Sequence, residues 1–258
     1  MKILFNKYEG AGNDFIIVNN TPSLVSHNDS KLISRLCDRR FGIGADGLIL
    51  IEEHEGYDFE MVYFNSDGYP GNMCGNGGRC ASEYAMRHIT GTSSLTFLAA
   101  DGAHTAYRLG ELIVLSINDV QGIKKTPDGF LLNTGVPHLV VFTDDVDKVD
   151  LIGFAKPLRH SPRYAPEGVN VNLVQVDGKK LRVRTYERGV EDETLACGTG
   201  VTASAIASAF SGKIVTSNPE IIARGGILSV SFKISNENVT DILLTGPATF
   251  VFSGEKEI

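Results

Sequence analysis

The chain has 258 residues, 42% of them hydrophobic and 21% charged, enough to build one large domain or two modest ones with full cores. A net charge of −7 and the lack of any basic block argue against nucleic acid as a partner, because phosphate binding needs clustered Lys and Arg. No run of roughly 18 apolar residues occurs and Met1-Lys2-Ile3-Leu4-Phe5-Asn6 lacks a signal peptide's apolar core, so no membrane partner and a cytoplasmic location are expected.

In chain order, short β-branched runs predict strands over 15–18, 48–51, 59–64 and 112–117, and again over 139–142, 173–176, 181–186, 227–232 and 250–252. Three helices are predicted among them. The first spans 30–40, with Leu32, Ile33, Leu36 and Cys37 on one face; the second spans 78–88; the third spans 199–210. The third is almost wholly Ala, Ser, Val, Thr and Ile, and a helix small and apolar on every side belongs inside a curled sheet. The polar turn at Lys124-Lys125-Thr126-Pro127-Asp128-Gly129 follows a boundary near Asp119-Val120-Gln121-Gly122. Halves at 1–119 and 120–248 are expected, with a strand over about 249–258 returning to the first half and a cleft between them.

The halves resemble each other. Asn13 to Val18 matches Pro137 to Phe142 at an offset of 124, Gly44 to Ile51 matches Val169 to Val176 at 125, Val62 to Gly68 matches Arg184 to Gly189 at about 122, and Leu98 to Gly102 matches Ile222 to Gly226 at 124. The fifth match is chemical: Met73-Cys74-Gly75-Asn76-Gly77-Gly78 and Ala196-Cys197-Gly198-Thr199-Gly200 lie 123 positions apart. A period this long means two copies of a fold, not a solenoid.

Each thiol turn leads into a predicted helix, whose free N–H groups and partial positive charge favour thiolate and attract a carboxylate. A single such turn reads as an ordinary glycine-rich loop with a buried Cys; two equivalent ones suggest paired acid–base groups. A free Cys titrates near 8.5, and a helix start lowers this to somewhere between about 3.5 and 7.5. Mutual repulsion should leave one proton shared by the pair. One thiolate would remove a proton while the opposite thiol donates one, which inverts a stereocentre. The four cysteines (37, 74, 80 and 197) show no CxxC spacing, so reduced thiols and no metal site are expected.

With both thiol turns in hand, the sequence resembles the diaminopimelate epimerase family over essentially its whole length. The carrying motifs are Gly10-Ala11-Gly12-Asn13-Asp14-Phe15, Arg40-Phe41-Gly42-Ile43-Gly44-Ala45-Asp46-Gly47, Phe64-Asn65-Ser66-Asp67-Gly68, Met73 to Cys80, Tyr186-Glu187-Arg188-Gly189 and Ala196 to Gly200. The resemblance implies an α/β protein of the α+β type, with two pseudo-symmetric domains, each a curled, mostly antiparallel sheet around a central helix, and commonly a homodimer. It implies a cofactor-independent enzyme that interconverts L,L- and meso-2,6-diaminopimelate in lysine and peptidoglycan precursor synthesis. Cys74 and Cys197 match the acid–base pair, and Gly75, Asn76, Gly198 and Thr199 match the α-carboxylate cradle. Asn13, Asn65, Asn170, Glu187 and Arg188 match substrate-binding positions, and His138 and Glu187 match positions that tune the thiols. Three departures stand out: Val136 replaces the usual Asn before Pro-His, Gly47 replaces the usual Gln, and the stretch from Glu187 to Thr194 is one residue longer.

Other readings predict different residues. A proline or hydroxyproline racemase-like enzyme shares the two thiols but needs no distal amino-acid head, which Asn65, Asn170 and Arg188 would serve. A thiol oxidoreductase would join Cys74 and Cys197 in a redox disulfide, against which the missing CxxC argues; a binding protein would carry an export signal; a pyridoxal phosphate enzyme would pair a phosphate loop with a Schiff-base Lys.

Overall fold

A two-residue loop with positive φ at both Ala11 (54°) and Gly12 (83°) folds β1 (Lys2–Gly10) back on β2 (Asn13–Asn19), the twist that a tight antiparallel hairpin requires. The computed structural model describes residues 2–258. It divides into two compact units, Met1–Leu115 with Gly246–Ile258, and Ser116–Thr245.

The first unit continues through α1 (Ser30–Cys37), β3 (Gly47–Glu52), β4 (Phe59–Asn65), α2 (Gly75–Ala85), β5 (Ser94–Ala99), β6 (Gly102–Leu109) and β7 (Leu112–Ile117), in which the division falls. The second holds β8 (Val120–Gln121), β9 (Lys124–Thr126), β10 (Gly129–Asn133), β11 (Pro137–Phe142), α3 (Leu151–Arg159), β12 (Asn170–Asp177), β13 (Lys180–Glu187), β14 (Asp192–Thr194), α4 (Gly198–Phe210), β15 (Glu220–Ala223), β16 (Gly226–Ser235) and β17 (Asn238–Pro247) up to Thr245, where the second division falls. The last strand, β18 (Thr249–Glu257), pairs antiparallel with β1 in the first unit.

The pairings repeat step for step. β2–β3 and β11–β12 are parallel, β3–β4 and β12–β13 antiparallel, β4–β5 and β13–β15 parallel, and the hairpins β5–β6 and β15–β16 antiparallel. In each unit the sheet curls round one helix: α2 packs on β1 to β4 and β6, and α4 on β10 to β13, β15 and β16. The two-copy, mostly antiparallel architecture expected from sequence is therefore present.

The register corrects the alignment of the copies. Phe15 faces Gly47 in one ladder as His138 faces Asn170 in the other, and Gly77 abuts Ile49 where Gly200 abuts Asn172. The offset here is thus 123, as for the cysteines, and not 124 or 125. Short β-branched runs align almost as well when slipped, and only pairing and the helix they face fix the register.

Burial of the two central helices follows from their polar residues closing on themselves. Thr202, Ser204 and Ser208 donate to the carbonyls of Gly198, Gly200 and Ser204 at 2.7–2.8 Å, and Ser82 donates to Gly78 at 2.7 Å. These four hydroxyls therefore need no water. The helix bounds differ from expectation for local reasons. The α1 helix stops at Cys37 because the Asp38 carboxylate accepts from the N–H groups of Arg40 and Phe41, both at 2.7 Å. The α2 helix starts three residues early, since burial overrides the poor helix propensity of Gly75 to Gly78. The α3 helix was not foreseen; Asp150 caps it by accepting from Gly153 N–H at 3.2 Å, but Gly153 and Pro157 inside it mask its pattern. Among the described residues no helix is long and apolar enough to cross a membrane.

Candidate active site

Both cysteines occupy the N-cap position of a central helix: Cys74 precedes α2 and Cys197 precedes α4, each in extended conformation. The same local reason operates twice. A glycine follows each Cys, and the chain turns from extended to helical with its first N–H groups free of intrahelical partners. Gly75 and Asn76, and Gly198 and Thr199, are therefore the residues whose amides lie at the positive ends of two helix dipoles.

In the first unit, the Cys74 Sγ lies 3.7 Å from the side-chain oxygen of Asn13, which also accepts from Asn76 Nδ2 at 3.4 Å. Asn13 Nδ2 donates to Asp46 at 2.6 Å, and a carboxylate accepts only, so the amide's orientation is settled. Arg79, fully buried in α2, donates to Gly75 O (3.1 Å), Asn76 Oδ1 (2.9 Å) and Pro247 O (3.2 Å). Sequence reasoning missed Arg79 as a site residue, although it stands inside a quoted motif; only its burial reveals that it holds Asn76. Asn65 ends β4 with its side chain exposed, its backbone closing the turn to Tyr69.

Asn13 is fixed through an ion cluster. Arg39 donates to Asp14 through both terminal nitrogens (2.6 and 3.0 Å) and to Asp46 at 2.8 Å, while Lys7 pairs with Asp14 at 2.7 Å and bonds the Gly44 carbonyl. Burial by itself pushes the Asp14 carboxyl up, but the bonds from Arg39 and then Lys7 outweigh it and hold it at about 2, below the ordinary 3.8. A depressed carboxyl stabilises the fold above its unfolded value, and that stability is lost as pH falls from about 4 through 2. Asp14→Asn should cost about 2 kcal/mol at pH 5. Urea unfolding should show the gap to the parent chain closing as pH approaches 2.

In the second unit, His138 and Asn170 face each other across the parallel β11–β12 ladder, and the Asn170 side chain accepts from the Arg188 N–H at 2.7 Å. Arg188 Nη1 also donates to Glu167 O at 3.3 Å, and Glu187 is the last residue of β13, half-buried. Cys197, 8% exposed, accepts from Gly200 N–H at 3.4 Å and lies 3.4 Å from the Thr199 hydroxyl. That hydroxyl is 3.0 Å from His138 Nε2, and the Thr199 carbonyl accepts from Thr134 Oγ1 at 2.9 Å. Burial, and next the positive Arg188, push His138 down to about 3, so it is neutral across physiological pH. The unit thus links His138, Thr199 and Cys197 directly, and Asn170 with Arg188.

The three departures have local accounts. At Gly47 a Cβ would fall 2.5 Å from the Tyr63 ring and 2.6 Å from Phe64 O, so Tyr63 fills the space a longer side chain would need. Asn133, a candidate to replace the polar group absent at Val136, uses its oxygen to accept from Gly135 N–H at 2.9 Å. The longer stretch after Glu187 turns at Glu191, which has φ of 58°, and returns as β14 against β13.

The family model for diaminopimelate epimerase matches residues 5–107 and 130–251. The chain belongs to the diaminopimelate epimerase family. It is 46% identical over 248 residues to a diaminopimelate epimerase of Flavobacterium psychrophilum, covering 95% of this chain and 97% of that one. A diaminopimelate epimerase of Chlorobaculum tepidum is 38% identical over 263 residues, covering 95% and 98%. Among solved structures, a phenazine biosynthesis protein of the PhzF family from Bacillus anthracis superposes with a TM-score of 0.76 at 16% identity, covering 100% of both chains. A probable proline racemase from Agrobacterium radiobacter gives 0.69 at 15% identity, covering 99% and 92%. At these identities the structural likeness concerns the fold alone.

Proposed function

We propose that the protein interconverts L,L- and meso-2,6-diaminopimelate without a cofactor, Cys74 and Cys197 being the acid–base pair, and so supplies lysine and peptidoglycan precursors. The observation that carries this reading is the repeated N-cap cysteine, one per unit, each at the start of a buried helix. One sulfur, as thiolate, takes the α-proton and becomes a thiol. The other gives its proton to the opposite face of the carbon and becomes the thiolate. Charge is conserved, and the free enzyme resets by exchanging protons with water. The amides of Gly75, Asn76, Gly198 and Thr199 bind the α-carboxylate and oppose the charge that builds as the proton leaves. Asn13, Asn65, Asn170, Glu187 and Arg188 bind the rest of the substrate, with the Arg188 fork suited to a carboxylate.

Turnover of L,L-diaminopimelate in D2O tests the reading: the meso product should carry one deuterium at the inverted carbon, while proline run in parallel should show no exchange. Exchange with proline and not with diaminopimelate would replace the substrate assignment; exchange with neither would remove the activity. We also place the protein in the cytoplasm as a homodimer. No disulfide joins its four cysteines, and β18 exposes Phe250, Val251 and Phe252, which supports contact between copies. Sedimentation should give twice the 27.9 kDa chain mass, and a charged residue at Val251 should halve it.

A further inference from the structure

The geometry points to Asn172 as a positioning residue that orients a one-way hydrogen-bond relay, Thr185 to Asn172 to His138 to Thr199, ending with the Thr199 hydroxyl donating to the Cys197 sulfur. This deepens the two-thiol reading and rests on it for its catalytic meaning. The direction follows from a group that can only accept. Asn172 Nδ2 lies 3.4 Å from the Leu139 carbonyl, which fixes the NH2 side of the amide there. Its oxygen then accepts from Thr185 Oγ1 at 2.9 Å. The second amide hydrogen meets His138 Nδ1 at 3.0 Å, so that nitrogen carries the lone pair and the ring proton sits on Nε2. Nε2–H must donate to Thr199 Oγ1, 3.0 Å away, and the threonine's own hydrogen is left for the sulfur at 3.4 Å.

The relay is dry up to its last member: His138 and Asn172 are 0% exposed and Thr185 3%, while Thr199 beside the sulfur is half-buried. Burial keeps His138 uncharged, so its tautomer does not melt into imidazolium near neutral pH. Arg188 is the charged side chain acting on it, and its positive sign works the same way. Gly200 makes the room, since a Cβ there would fall 2.5 Å from Asn172 Oδ1 and 3.2 Å from Thr185 Oγ1. The sulfur therefore receives two donors from its own unit, the Gly200 N–H and the Thr199 O–H. Both stabilise negative charge on it, and when the sulfur is a thiol they turn its proton away from the helix.

The test uses the full chain labelled with 15N-histidine, without substrate, so its outcome is separate from that of the diaminopimelate assignment. The His138 signal, identified by its loss in His138→Gln, should show Nε2 protonated and Nδ1 bare from pH 5.5 to 8. In Asn172→Asp the carboxylate only accepts, and Nδ1 should become protonated. Alkylation of Cys197 by iodoacetamide, followed by peptide mass, should slow about tenfold in Thr199→Val and return to within about twofold of the parent rate in Thr199→Ser. An Nδ1–H tautomer or an imidazolium in the parent chain would overturn the relay, as would Thr199→Val reacting at the parent rate. Should His138→Gln fail to fold, the histidine signal that moves in Thr199→Ser supplies the assignment.

Discussion

Replacing either Cys74 or Cys197 with alanine is expected to lower kcat/KM for inversion by about 10^3-fold or more while the fold stays intact. General acid–base groups contribute about 10^2 to 10^4 each, and no other thiol can substitute. The remaining cysteines, Cys37 and Cys80, are buried, and burial drives the Cys37 thiol up to about 12 and Cys80 in the same direction, so neither forms thiolate near neutral pH. The change itself is small, since removing one sulfur leaves little cavity and melting should move by only a few degrees. Each single variant retains one thiol, and that thiol can still remove the proton facing it. In D2O, deuterium should then wash slowly into one stereoisomer with retention, and into the other isomer in the opposite variant. Inversion persisting in both variants would defeat the acid–base assignment outright.

The second large effect is on stability. Arg79→Leu should destabilise the protein by about 3–5 kcal/mol, because it strips a buried guanidinium from Gly75 O, Asn76 Oδ1 and Pro247 O and leaves three acceptors without water. Two of those acceptors lie in the first turn of α2, and Pro247 leads into β18. Loss of the fork should therefore loosen the Cys74 turn and the C-terminal strand together. Arg79→Lys keeps a charge but not the planar fork and should fall between the two. Thermal unfolding with hydrogen exchange at β18 and α2 would check this; a melting temperature within a degree or two of the parent would refute it.

The strands and the central helices were legible because burial imposes period on sequence: the run from 15 to 18 is continuous and β-branched where β2 is wholly buried, and the small residues of α4 announce a helix enclosed on all sides. Half-exposed elements were not. Strands β6 and β17 alternate with exposed polar positions, and α3 hides behind Gly153 and Pro157. The relay had one faint signal, two asparagines at period 2 in the apolar run Val169-Asn170-Val171-Asn172-Leu173, which puts both on one strand face while Val171 and Leu173 join the core on the other. That signal could not say what the second Asn touches.

The sequence by itself determined the family, the doubling of the chain and the two cysteine turns that open the central helices, because glycine after cysteine at a helix start is a local requirement written in neighbouring residues. Only the tertiary structure decided the register between the copies, the burial of Arg79 and the course of hydrogens into Cys197. Those depend on residues 34, 61 or 168 positions apart meeting in a dry interior, where each donor must find one acceptor and the direction of every bond is thereby forced.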